Sequence, residues 1–172
     1  MKYLALATLL GVVFGSPSAT RAQPMAAPGG DRAQIEALYK TFAEAFNKKN
    51  VDEIMSIYAN NGTLFVFDVI PPRQYPSWAA YRKDWVDLFK GYKTGKVSVS
   101  DLSITVDSDG NSAWTHYIVP GTFVGPNGSK QTFVVRSTDV LQRINGKWLI
   151  VQEHNSIPVD LITLKPDLLS KP

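Results

Sequence analysis

From Lys96 to Ile157 the chain is almost wholly strand-forming sequence, and that run limits the fold more than any other feature. "KVSVSDLSITVD" alternates apolar and polar residues until Asp101-Leu102, where the phase slips by one, as a β-bulge would make it do. "SDGN" turns the chain, "SAWTHYIVPGTFV" follows, and "GPNGS" is a loop. "KQTFVVRSTDVLQRI" and "KWLIVQEHNSI" then form a hairpin across Asn145-Gly146. Short turns between long strands mean antiparallel pairing.

Ahead of this run the periodicity is helical. Asp31, with Gln34 three residues on, reads as a capping box. Ile35, Leu38, Tyr39, Phe42, Ala45 and Phe46 then form one wide apolar face. "VDEIMSIYANNG" predicts a second, shorter helix through Ile54, Ile57 and Tyr58, stopped by Asn-Asn-Gly. "TLFVFDV" predicts a strand, and the three prolines of "IPPRQYPS" make a loop. Ser77 can cap a third helix, with Trp78, Tyr81, Trp85, Leu88 and Phe89 on one side and Gly91 at its end. Helices segregated against an antiparallel sheet define an α+β fold. The expected form is a cone-shaped roll, with three N-terminal helices packed on a strongly curved, mostly antiparallel sheet around an apolar interior.

The chain's beginning has a different character. "MKYLALATLLGVVFG" is a positive start and a short apolar run, followed by small residues in "SPSATRAQP". That is the pattern of a secretory signal peptide, with cleavage expected after Ala22. The run is shorter than the roughly 20 residues of a membrane span. The expected divisions are a leader over 1–22, a flexible lead-in over 23–30, a domain over 31–160 and a loosely held tail over 161–172. Loss of the leader removes Lys2 and Arg21, leaving 16 basic against 15 acidic side chains, so the basic excess belongs largely to the leader. With no basic run and no stacking motif, nucleic acid is not an expected partner. There is no cysteine, so no thiol nucleophile and no cysteine-based metal site. The expectation is a secreted or periplasmic protein with no membrane span in its mature form.

Two stretches carry a family resemblance. "YKTFAEAFNKKNVDEIMSIYANNGTLFVFD" and "RSTDVLQRINGKWLIVQEHNS" resemble the opening and closing segments of the nuclear transport factor 2-like superfamily, in its SnoaL-like branch. That superfamily also contains the ketosteroid isomerases, and the resemblance spans roughly residues 32–160. It implies a curved sheet, a pocket within the cone and a homodimer. It transfers the isomerase residues poorly. The helix-one tyrosine position falls on Phe42 and the base position on Val66, with Asp68 two residues on. Only the oxyanion aspartate has a match, Asp139 in "STDV". Loss of one oxyanion donor costs about 100-fold or more in turnover, which argues against a standard steroid isomerase.

Which polar residues face the pocket depends on the hairpin. A two-residue Asn-Gly turn pairs Ile144 with Lys147 and sets Asp139 on a face with Gln152 and His154. A three-residue loop with Gly146 in a bulge pairs Arg143 with Lys147, placing Asp139 opposite Val151 and Ser137 opposite Glu153. One residue of slip exchanges the faces. The resemblance favours the bulged form, with Asp139, Glu153 and Asn155 inside, and Arg136, Gln152 and His154 on an outer face open to a dimer contact. It also turns Trp114 and His116 inward.

The candidate catalytic groups are then Asp139, Asp68, His116 and Glu153. Burial would raise a carboxylic acid's pKa and fit it for proton transfer near neutrality. Candidate ligand contacts are Tyr39, Phe42, Tyr58, Trp85, Trp114 and Asn155, and candidate interface residues are Arg136 and His154. Plainer roles compete: an ion pair for Asp139, a solvated rim for Glu153 and Asn155, a core histidine for His116. No metal-ligand spacing, phosphate loop or nucleophile elbow is present, so no metal and no cofactor are expected. Three functions remain open. The first is a binding module for a small hydrophobic molecule. The second is a cofactor-independent isomerase, cyclase or hydro-lyase working through the carboxylates and histidine. The third is a dimerisation or interaction domain.

Overall fold

Helix α1, Gly30–Asn47, buries Ile35, Leu38, Tyr39, Phe42, Ala45 and Phe46, the stripe its periodicity predicts. The structure is a computed structural model that describes residues 30–169. The leader expected over 1–22, the lead-in expected over 23–30 except for residue 30, and the last three residues of the tail expected over 161–172 lie outside the described residues. The capping box does not form. Arg143 engages the Asp31 carboxylate and donates through Nε to Gly110 O at 2.9 Å, while its guanidinium lies 4.6 Å over the Trp148 ring. Gln34 keeps its Nε2 without a partner. At the other end, Asn47 holds both backbone groups of Val97, accepting from its N–H at 2.8 Å and donating to its carbonyl at 3.2 Å.

α2, Val51–Met55, is a single turn capped by Asn50, whose side chain accepts from the Glu53 N–H. It ends earlier than the periodicity predicts, because residues 57–59 are taken by the sheet. Ile150 N–H donates to Ile57 O, and Ala59 N–H donates to Ile150 O, both at 2.9 Å. β1, Phe65–Phe67, precedes the proline loop. α3, Trp78–Gly91, starts at the expected cap, where Ser77 accepts from Ala80 N–H.

The strands that follow are β2 (Thr94–Val97), β3 (Ser100–Val106), β4 (Ser112–Val124), β5 (Lys130–Ile144) and β6 (Lys147–Ser156). The predicted bulge sits at Asp101, which adopts a φ of 52° between β2 and the regular part of β3. The sheet runs β1-β6-β5-β4-β2, with β3 also on β4. All pairs are antiparallel except β1 with β6. This is the expected α+β cone, with helices packed on a mixed, mostly antiparallel, unclosed sheet. Gly121 serves the cone directly: a Cβ there would lie 2.3 Å from the Phe133 ring, so only glycine lets that ring cross the strand.

Asp160 Oδ1 accepts from the Ile162 and Thr163 N–H groups, and Leu168 O accepts from Val134 N–H where β6 no longer covers β5.

Candidate functional site

The site begins in the β5–β6 hairpin. Its turn is the two-residue form: Asn145 and Gly146 have φ of 52° and 79°, and Ile144 pairs with Lys147. The bulged turn with Arg143 opposite Lys147 is therefore incorrect. A bulge does occur, but inside β6. Leu141 faces Ile150 and Val140 faces Gln152, so Val151 is the extra residue. That extra residue reverses the inside–outside phase of everything after it. Asp139 consequently faces Glu153 and Ser137 faces Asn155, on the inner side, while Arg136, Gln152 and His154 point outward. The inner and outer sets are those expected; the pairing that produces them is not.

β4 runs the other way from expectation. It pairs Thr115 with Asp139 and Tyr117 with Ser137, so Ala113, Thr115, Tyr117 and Val119 are buried. Trp114, 50% exposed, and His116 stand on the outer face. Their assignment to the pocket is overturned, because directly paired residues share a face and Asp139 is inside.

The inner face and the helices enclose a cavity of about 610 Å³, counting the open space at its mouth. Phe42 and Phe46 of α1, Trp85 and Leu88 of α3, and Phe123 and Phe133 of the sheet form apolar walls. The polar lining comes from Asp68, just beyond β1, with Tyr81, Tyr117, Ser137, Glu153 and Asn155. These polar groups are joined. Glu153 accepts from Tyr58 OH at 2.6 Å, from Tyr81 OH at 2.6 Å and from Asn155 Nδ2 at 2.8 Å. Ser137 Oγ donates to Asn155 Oδ1 at 2.6 Å, and Asn155 Nδ2 also reaches Asp68 Oδ1 at 3.4 Å. Asp139 lies behind this layer. Its Oδ2 accepts from Tyr39 OH at 2.8 Å and Tyr117 OH at 3.1 Å, its Oδ1 has no partner, and Tyr39 also meets Thr115 Oγ1.

Among the described residues no cation enters this network, and its acids respond accordingly. Burial, then the neighbouring Glu153, raises Asp139 well above the usual carboxylate range. Burial raises Glu153 too, but three donated hydrogen bonds pull it back. The two titrate as one unit. Glu153 is the member better able to hold the charge, and Asp139 the one that keeps its proton. Asp68 is raised from 3.8 to about 7, first by burial, then by Glu153 and Asp84, against the hydrogen bond from Val69 N–H.

A sequence model of the SnoaL-like domain matches residues 35–160, most of the chain. The chain belongs to the SnoaL-like domain family. No curated protein sequence matches it significantly. Among solved structures, this SnoaL-like domain is similar to a nuclear transport factor 2-like protein of unknown function from Pseudomonas putida, with 24% identity and a TM-score of 0.71 over 81% of this chain and 95% of that one. It is similar to a nuclear transport factor 2-like superfamily protein from Salmonella enterica, with 18% identity and a TM-score of 0.67 over 76% and 92% of the two chains. It is also similar to a proposed dehydratase of the same family from Streptomyces avermitilis, with 17% identity and a TM-score of 0.64 over 73% and 95%. At these identities the likeness is one of fold.

Within the SnoaL-like cone, Asp68, Glu153, Phe42, Trp85 and Asn155 line the cavity as expected. Asp139, Tyr39 and Tyr58 do not: they are buried behind it and hold its lining in place. The ion pair weighed for Asp139 is absent, since tyrosines fill that role, and Glu153 is buried rather than on a rim. Arg136 and His154 lie on the outer face as expected. Sequence reasoning missed Tyr81, Tyr117 and Ser137. Tyr81 was legible only as core, and Tyr117 was hidden because both faces of "AWTHYIV" alternate equally well.

Proposed function

We propose that the cavity binds a small, largely apolar molecule carrying one polar head, with the head at Asp68, Asn155 and Glu153. The observation that carries this reading is the division of the cavity wall: aromatic and aliphatic side chains along its length, and a hydrogen-bonded carboxyl cluster in one place. Ligand sites are commonly apolar with a few convergent polar groups. Native mass spectrometry of the mature chain tests it directly, and an added mass of a small apolar compound supports it. Val135→Phe, which fills the cavity, should lower the binding of any such compound. Equal binding by a stably folded Val135→Phe protein would refute the pocket.

A second reading is favoured by Asp68, a cavity-wall acid raised to about 7. Such a group exchanges protons readily near neutrality, so isomerase or hydro-lyase chemistry follows if the bound molecule has an acidic C–H. The proposed dehydratase among the similar structures is consistent with that class. Asp68→Asn should then abolish turnover of the retained ligand while the fold persists.

We further propose export, on the strength of the leader pattern over residues 1–22. We also propose a homodimer through the outer sheet face. Phe67, Trp114 and Val140 are exposed there beside Arg136, His116 and His154, and the paired rows of that face hold no carboxylate. Trp114→Glu should give a monomer by light scattering. A monomeric wild-type protein at high concentration would end this proposal.

A further inference from the structure

The charge inventory of the cavity identifies its ligand more closely. Among the described residues, no lysine, arginine or histidine lines it, although two carboxyl groups do. Those two face a single donor: Asn155 Nδ2 reaches Glu153 Oε1 at 2.8 Å and Asp68 Oδ1 at 3.4 Å. Glu153 is saturated by its tyrosines and Asn155. Asp68 is not. Its Oδ1 takes Val69 N–H at 2.6 Å, and its other oxygen has no hydrogen-bond partner among the described residues. The groups that bear on Asp68 from neighbouring elements are Glu153 of β6 and Asp84 of α3, both acidic, with Tyr75 and Tyr81 as the nearby phenols. None supplies a positive charge.

Buried carboxyl groups without a cation are costly, and the cost falls when a cation arrives. The rest of the wall suits one. Phe42, Phe46, Trp85, Phe123 and Phe133 are among its lining residues, and aromatic rings attract ammonium groups.

We propose that the cavity's ligand is an organic amine, an ammonium group on an aromatic or alkyl body, with the ammonium seated against Asp68 beside Glu153. This rests on the pocket reading above and adds the head group. An anionic head would meet two carboxyl groups and no counter-charge. A neutral acceptor head would need Asp68 protonated, so it would bind better in acid, whereas the amine needs Asp68 ionised and binds better in base.

That opposition gives the test. 1-Naphthylmethylamine, 1-naphthylmethanol and 1-naphthoic acid share one ring system and differ in the head. Their affinities would be measured by calorimetry at about pH 6 and about pH 8, on either side of the Asp68 titration near 7. At the higher pH the amine should bind at least about tenfold more tightly than the alcohol, and the acid most weakly. The amine-to-alcohol ratio should shrink at the lower pH, and Asp68→Asn, with its fold checked by circular dichroism, should shrink it at the higher one. An alcohol or acid that binds as tightly as the amine at pH 8 would overturn the amine assignment and leave the pocket standing. So would an amine preference indifferent to pH and to Asp68→Asn. Failure of all three probes to bind would overturn both readings.

Discussion

Asp68→Asn should stabilise the protein, and by an amount that depends on pH. In the unfolded chain Asp68 titrates near its ordinary value of 3.8; in the fold it titrates at about 7. Below 3.8 both states hold the proton and the group is neutral in the balance. As pH rises from 3.8 to 7 the unfolded state loses the proton while the folded state keeps it, so stability drains away, and above 7 the loss is complete. The rise corresponds to ~4 kcal/mol at full extent, and more than half of it falls between pH 5 and pH 8. Asparagine retains an oxygen to accept from Val69 N–H and Asn155 Nδ2 and has no charge to bury. Urea melts of wild type and variant at pH 5, 6, 7 and 8 read the difference directly. Asp139 and Glu153 titrate in both proteins, so subtraction leaves Asp68 together with its coupling to Glu153, and both act in the same direction. The variant's advantage should grow steadily with pH and level off near pH 8. A difference between the two proteins that stays flat, within about 0.5 kcal/mol across this range, would refute the burial argument for Asp68.

Three other outcomes are expected. Tyr58→Phe leaves Glu153 Oε2 buried without its only donor, and should cost ~1–3 kcal/mol in a urea melt. The loss should be smaller in acid, where Glu153 is neutral. Arg143→Met frees the half-buried Asp31 carboxylate and the Gly110 carbonyl while keeping an apolar chain over Trp148, and should lower stability by ~1–3 kcal/mol by the same assay. Deletion of Val151 removes the bulge, turning Glu153 and Asn155 outward and His154 inward; the cavity should lose its polar end, with aggregation or loss of probe binding as the readout.

Much of the architecture was legible in the sequence because its signals are local. The helix stripe from Ile35 to Phe46, the Ser77 cap and the Asn-Gly turn each depend on a few neighbouring residues, and each appears in the structure. The site was less legible because it depends on parity. In β4, Trp114-His116-Ile118 and Ala113-Thr115-Tyr117 both alternate, and only pairing with Asp139 decides which set is inside. In β6 the deciding residue is Val151. The adjacent burial of Ile150 and Val151 breaks the period of two, and "LIV" is the sequence trace of that break. The Asn-Gly pair drew attention to the turn as the place for the extra residue, whereas the chain keeps a regular turn and bulges five residues later. The failed capping box has a comparable cause: Asp31 is claimed by Arg143, which is distant in sequence.

The carboxyl cluster stands apart from the rest of the fold's logic. Elsewhere the elements largely follow their local signals: the apolar stripe of α1 is buried, and α2 and α3 start on the caps of Asn50 and Ser77. At the cavity the chain buries Asp139 and Glu153 with the half-buried Asp68 beside them and, among the described residues, no basic side chain, and it spends four tyrosine hydroxyls on the first two. Local rules broken at one place, in a fold that keeps them elsewhere, mark a functional site. The division of labour within the cluster follows from its depth. Asp139, deepest and short of one partner, holds a proton and fixes Tyr39 and Tyr117. Glu153, with three donors, is the better placed of the two to hold charge. Asp68, outermost and least satisfied, is left to meet whatever enters the cone.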